Sequence, residues 1–276
     1  METTLLLLVF KIIRWIKMVD NVKDVEINQK SGVGSTTTQI GVQNVYNGIT
    51  SSDAVNMVME LFRQYYPVLR VEALTEVRKM IEDELNKLKR DEIIVPKAKI
   101  IVPTLENASI TEEKELRMLY AKLLVKSMSE KDADSVHPAY VHIINQMSIM
   151  DALVLKKIAQ INDSIPVARV TFTIEQSQRY LAEALPHFYS PYFNEFDDMK
   201  KVSTSIENLS RLQIINLFSG SVITYDYNTI KNEDYIQEQY GYAKSNNPER
   251  ELEIEVENYT IQRTDFGKDF IRLCVL

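Results

Sequence analysis

Cysteine is almost missing: Cys274 is the single one in 276 residues. A lone thiol excludes an intramolecular disulfide framework and fits a reducing compartment, which points to the cytoplasm. Glycine is scarce too, at seven residues, so a phosphate-cradling glycine loop has little material to draw on. Only His137, His142 and His187 supply imidazole. Positive charge is in deficit, with 32 Lys and Arg against 39 Asp and Glu, a net charge of −7 and a pI near 5.2. That balance argues against non-specific nucleic-acid binding, a local basic face excepted. The uninterrupted apolar run at residues 5–10 is far too short to span a bilayer.

What is present suits a soluble globular body. Apolar residues make up 45% and charged residues 26%, and the length supports one sizeable core plus a smaller domain. Residues 109–159 read as its centre. Ser109 with Glu112 three positions on predicts a capping box. Leu116, Leu119, Tyr120, Leu123, Leu124 and Met128 then share one helical face. His137-Pro138 opens a second helix, with proline where its missing N–H costs nothing, and Tyr140, Ile143, Ile144 and Met147 form its stripe. Ser148 with Asp151 predicts a second capping box and a third helix carrying Leu155 and Ile158.

On the amino side, residues 53–67 and 71–89 carry helical apolar spacing, with Pro67 as the break. Residues 91–108, with Pro96 and Pro103, fit short strands or a pinned loop equally well. On the carboxyl side, residues 162–166 read as a turn, and Ile174, Tyr180, Leu181 and Leu185 as a modest helix. Residues 199–217 read as a helix, Val222-Ile223-Thr224-Tyr225 as a strand and the alternating stretch 251–259 as another. Thr264 caps a final helix containing Gly267. The expectation is a mainly α protein: a helical core at 52–195 and a winged-helix-like α+β unit at 196–276. Ahead of them stand an amphipathic helix at 1–19 and a β-prone segment at 20–51.

In the leading segment, Lys11, Arg14 and Lys17 recur every three residues and share one face of a helix. Leu5, Leu6, Phe10, Ile12, Ile13 and Trp15 fill most of the remainder. Such a helix suits a membrane interface, Trp15 at headgroup level and the cations toward anionic lipid. Two other readings stay open: packing in an interface of the protein itself, and a single span with Lys11 and Arg14 snorkelling. No basic region precedes the apolar run and no small-residue cleavage site follows it, so a signal peptide fits poorly.

Residues 20–51 are rich in Gly, Ser, Thr, Asn and Gln, and no charge occurs from 31 through 52. The composition alone reads as a linker. Within it, residues 36–46 are β-prone, free of proline and equipped with amides that ladder between stacked identical strands. In an extended chain Ile40 and Val42 share one face and Gln39 and Gln43 the other, Gly41 permits a bend, and Asn44 can ladder. Residues 38–46, TQIGVQNVY, resemble the RIP homotypic interaction motif, a short amyloid-forming signalling motif. That motif combines an aliphatic–Gln–aliphatic–Gly tetrad with a following Asn and an aromatic or hydrophobic residue. Gln39, Ile40, Gly41, Asn44 and Tyr46 match it, and Thr38 replaces its first aliphatic. The resemblance implies homotypic β-stacking through Gln39, Ile40, Gly41, Val42, Asn44 and Tyr46, hence a homo-oligomer.

No constellation for catalysis stands out. His137 and His142 are five apart, about 140° around a helix axis, which is no metal-ligand spacing. The adjacent pairs Glu112-Glu113 and Asp197-Asp198 do not converge as a two-carboxylate site. Cys274 has no sequence-local base and reads as structural. The sequence therefore implies no catalytic residue, cofactor or metal, and an enzyme is the least supported class. In the tail, Lys200, Lys201 and Arg211 are a thin basic set for a recognition helix, and an acidic strand follows.

The stretches 110–128 and 137–157, with NLSRLQII at 208–215 and TDFGKDF at 264–270, resemble the Abi-alpha family, also called the domain of unknown function 4393. The likeness covers about 106–274. It implies a place in abortive-infection defence against phage and supplies no catalytic residues. Together these readings predict a non-enzymatic effector that self-assembles and meets the membrane. It would be cytoplasmic or peripheral at the inner membrane face, with membrane lipid and a protein trigger from a defence operon as partners and nucleic acid disfavoured. The alternatives are a structural or regulatory module of a defence complex and a winged-helix DNA-binding regulator.

Overall fold

The computed structural model describes residues 71–89, 92–174, 179–180 and 185–276. The amphipathic segment 1–19 and the β-prone segment 20–51 lie outside the described residues.

The bundle begins with α1 (Val71–Leu85), whose Val77, Met80, Ile81 and Leu85 recur at helical spacing and are buried. The undecided stretch at 91–108 resolves into two parts. Ile93 bridges to Ser129 and the Ile94 N–H donates to the Met128 carbonyl at 2.8 Å. A helix follows, α2 (Ala98–Ile110), with Pro103 inside it. Ser109 is therefore not a cap. It lies within α2, its hydroxyl donating to the Glu106 carbonyl at 2.7 Å, and the next helix starts from Glu113.

That helix, α3 (Lys114–Ser127), buries Leu116, Leu119, Tyr120, Ala121, Leu123, Leu124 and Val125, more than one face of its circumference. A helix buried this broadly must be covered on several sides. It packs against α1, α2, α4 (Ala139–Asn145), α5 (Ile149–Gln160) and the C-terminal π turn at Ile271–Val275. A nearly enclosed Leu such as Leu123 or Leu124 contributes about 1.5–3 kcal/mol by burial. Asp132, in the loop between α3 and α4, takes Arg272 at 2.8 Å and Lys126 at 3.3 Å, tying the carboxyl end to α3.

Beyond α5 the chain extends into β1 (Ile165–Ile174), where the sequence pattern predicts a turn and then a helix. Tyr180, read there as helical, lies in the two-residue β2 (Arg179–Tyr180). The antiparallel sheet runs β2-β1-β4-β3, with β4 at Leu252–Arg263 and β3 at Ile215–Ser219. β1 and β4 pair from Ile165↔Ile261 to Ile174↔Leu252. A strand that precedes residue 196 thus forms the spine of the C-terminal sheet.

The rest of the C-terminal region keeps the helix, strand-pair, helix order expected from sequence. That order is carried by α6 (Met199–Arg211), β3, β4 and α8 (Asp265–Phe270). The first strand of the pair falls at Ile215–Ser219 and not at Val222–Tyr225, which forms a turn with the Tyr225 N–H on the Val222 carbonyl at 3.1 Å. Between β3 and β4 come a 3-10 turn (Tyr227–Asn232) and α7 (Asp234–Ser245). The whole is a mainly α multi-helix bundle with a small C-terminal mixed α/β region. Among the described residues no helix is long and apolar enough to cross a membrane.

Candidate functional site

The bundle meets the C-terminal region where the amino end of α5 faces α6. Ser148 caps α5: its hydroxyl accepts the Asp151 N–H at 3.2 Å, and its own N–H donates to Asp151 Oδ2 at 2.6 Å. This is the capping box predicted from sequence. Asp151 is only 3% exposed, and a buried carboxylate requires further donors. Asn208 provides one, its Nδ2 lying 2.9 Å from Asp151 Oδ2 and 3.1 Å from the Gln146 carbonyl.

With its amide nitrogen committed to two acceptors, Asn208 turns Oδ1 toward Arg211, one turn along α6. Arg211 Nε and Nη2 donate to it at 3.0 and 2.8 Å, and Arg211 Nη1 reaches Gln146 Oε1 at 3.0 Å. Gln146, Asn208 and Arg211 close a ring that continues through Asp151 into the cap of α5. An open groove of about 1230 Å³ runs over this joint, with Ile149, Lys201, Thr204 and Glu207 also on its walls.

Glu207 starts a second limb. Its Oε1 contacts His187 Nδ1, and His187 Nε2 contacts Arg169 Nη2 on β1. Arginine only donates, so Nε2 is the acceptor and the ring proton sits on Nδ1, facing Glu207. Arg169 also reaches Glu257 on β4 at 3.5 Å, and its guanidinium lies 6.0 Å from the Phe188 ring and 5.6 Å from that of Tyr259. The Tyr259 hydroxyl donates to Glu257 Oε1 at 2.9 Å. This limb borders a groove of about 820 Å³ lined by Arg169, Val170 and Thr171 of β1 and Glu255, Val256 and Glu257 of β4.

His187 has both ring nitrogens in contact with protein groups, Glu207 on one side and Arg169 on the other. Asp151 is likewise committed to a cap and an amide. The arrangement fixes the bundle, α6 and the sheet relative to one another. Among the described residues no group of three or more His, Cys, Asp or Glu is placed to hold a metal ion.

His137 accepts the Ala139 N–H on Nδ1 at 3.1 Å and packs its ring near Tyr140 and Phe266. Cys274 is fully buried, and burial pushes its thiol far above the ordinary range. Arg211 is held by Asn208 and Gln146, and Lys201 pairs with Asp198 at 3.3 Å. The stacking residues Gln39, Ile40, Gly41, Val42, Asn44 and Tyr46 lie outside the described residues. So do Leu5, Leu6, Phe10, Lys11, Ile12, Ile13, Arg14, Trp15 and Lys17. The clamp of Asn208 on Asp151 was not read from sequence. Its only trace is that Asn208 and Arg211 fall in the NLSR stretch already singled out.

The fold and joint define a class: a helical bundle locked to a small antiparallel sheet, with Asp151 and Asn208 holding the joint. The chain belongs to the Abortive infection alpha family, whose model matches residues 70–274. That family places it in antiphage defence by abortive infection. Neither a curated protein nor a solved structure matches the chain.

Proposed function

We propose that the protein is a non-enzymatic abortive-infection effector that acts by self-assembly and membrane association. The observation that carries this reading is where the family match starts. It begins at residue 70, and ahead of it stand the apolar-basic segment 1–19 and the charge-free, amide-rich segment 31–52. The folded body supplies a rigid mount; residues 36–46 supply stacking; residues 5–17 supply lipid contact. Stacking gathers many copies of the leading helix at one place, so that their combined hold on anionic lipid exceeds that of one helix. The site of action is the inner face of the membrane, and the trigger is a protein partner. Purified protein forms thioflavin-positive fibres in this account, and Ile40→Asp or Gly41→Pro abolishes them. Fibres unchanged by both substitutions would remove the stacking step.

A further inference from the structure

Among the described residues, β3 leaves one side of its backbone open. The Thr264 N–H donates to the Ile214 carbonyl at 3.1 Å and the Gly220 N–H to the Asn258 carbonyl at 2.9 Å. Antiparallel pairing alternates, so the even-numbered residues Ile214, Asn216, Phe218 and Gly220 direct their backbone groups at β4. Leu217 and Ser219 direct theirs away, and these make no hydrogen bond among the described residues. Folded proteins usually protect such an edge with charge, proline or a bulge. Here the strand reads Ile-Asn-Leu-Phe-Ser, and no charge or proline occurs from 212 through 225. Phe218 is 47% exposed on this edge strand.

A strand edge is completed only by another extended backbone. The partner must be proline-free, uncharged to suit an uncharged edge, and able to set an apolar side chain over the exposed ring. Residues 36–46 of this chain are proline-free and uncharged, and their Ile40 and Val42, which share a face when extended, supply the apolar side chains for the ring. Reach is no obstacle. The 25 residues from Tyr46 to Val71 span up to about 80 Å, against roughly 45 Å across a body of about 200 residues.

We propose that the free edge of β3 holds residues 36–46 of the same chain as an added strand, with Ile40 or Val42 over Phe218. Docked there, the segment is withheld from stacking, and its release starts assembly. This rests on the stacking role proposed above.

The test is residue-resolved amide exchange on the full-length protein, comparing wild type with Ile40→Pro. In wild type the Leu217 and Ser219 amides exchange roughly tenfold or more slowly than in Ile40→Pro, while Asn216 and Phe218 exchange alike in both. Unprotected Leu217 in wild type, or equal protection in the variant, overturns the proposal. Protection that grows with protein concentration also overturns it, by assigning the edge to a second copy. Ser219→Pro is a second probe, because its N–H points away from β4 and the internal ladder survives. It shortens the lag before fibres form if docking restrains stacking, and an unchanged lag counts against the proposal. Exchange reads docking and Ile40→Asp fibres read stacking, so either idea can fail without the other.

Discussion

Asn208 donates its side-chain amide to Asp151, 2.9 Å away, and through that bond α6 is fastened to the cap of α5. Removing either partner strands the other. Asp151→Ala loses both the cap acceptor and the buried carboxylate's hydrogen bonds, and should destabilise by about 3 kcal/mol. Asn208→Ala should cost about 1–2 kcal/mol. Urea melts of both and of the double variant should show coupling, with the double costing clearly less than the two singles added.

α6 ends in an αL cap occupied by the wrong residue. The Gln213 N–H bonds the Ser210 carbonyl and the Ile214 N–H the Leu209 carbonyl, at 2.9 and 3.0 Å, with Gln213 at φ 59°. This is the Schellman arrangement, which usually takes glycine. Gln213→Gly should therefore raise stability by about 0.5–1 kcal/mol, measured as a higher urea midpoint with an unchanged slope.

Gly267 is the opposite case. A Cβ there would lie 1.9 Å from the Ile214 carbonyl oxygen, and that oxygen also accepts the Thr264 N–H that starts α8. The three nearest atoms all belong to the Ile214 backbone and cannot swing aside. Gly267→Ala should cost about 3 kcal/mol, read as a lower thermal midpoint, whereas Gly241→Ala, with open space around it, should not.

Alkaline solution should weaken the fold early. Burial raises the Cys274 thiol from 9.0 and the Tyr120 and Tyr189 phenols from 10.0, and takes Tyr140 to about 12. Near neutral pH these groups are neutral in both states and contribute no pH dependence; from about pH 8 the unfolded thiol begins to ionise. Above that pH the unfolded chain releases protons that the folded chain retains, so stability falls as pH rises. Cys274 alone contributes a slope of about 1.4 kcal/mol per pH unit. Urea midpoints at pH 7.5, 9.5 and 10.5 should decline, and more gently in Cys274→Ala relative to its own value at pH 7.5.

Much of this fold was legible because local chemistry agreed with tertiary packing. Ser148 with Asp151 and Thr264 with Gly267 cap helices as read, and the alternation in β4 survives since Glu253, Glu255 and Glu257 stay exposed. β1 was only partly hidden: Ile165 through Ala168 are all buried and show no alternation, whereas Arg169-Val170-Thr171-Phe172-Thr173-Ile174 alternates polar with apolar as a half-buried strand does. The uniformly buried first half masks the period of two that its second half carries. α7 escaped for another reason: only Ile236 and Ala243 are buried in it, and aromatic pairs such as Tyr240 with Phe172 do much of its packing. Ser109 and Glu112 mimic a capping box, yet α2 runs through Ser109 to Ile110. The joint pairs residues 57 positions apart, and no local pattern announces a long-range hydrogen bond.

The central claim is that the leading segment meets lipid when copies assemble. Dye release from anionic vesicles should be measured with the full-length protein, with residues 1–19 deleted, and with Ile40→Asp. The account predicts strong release by the full chain, none after the deletion, and a reduced rate for Ile40→Asp at equal protein concentration. Equal release from all three would contradict it.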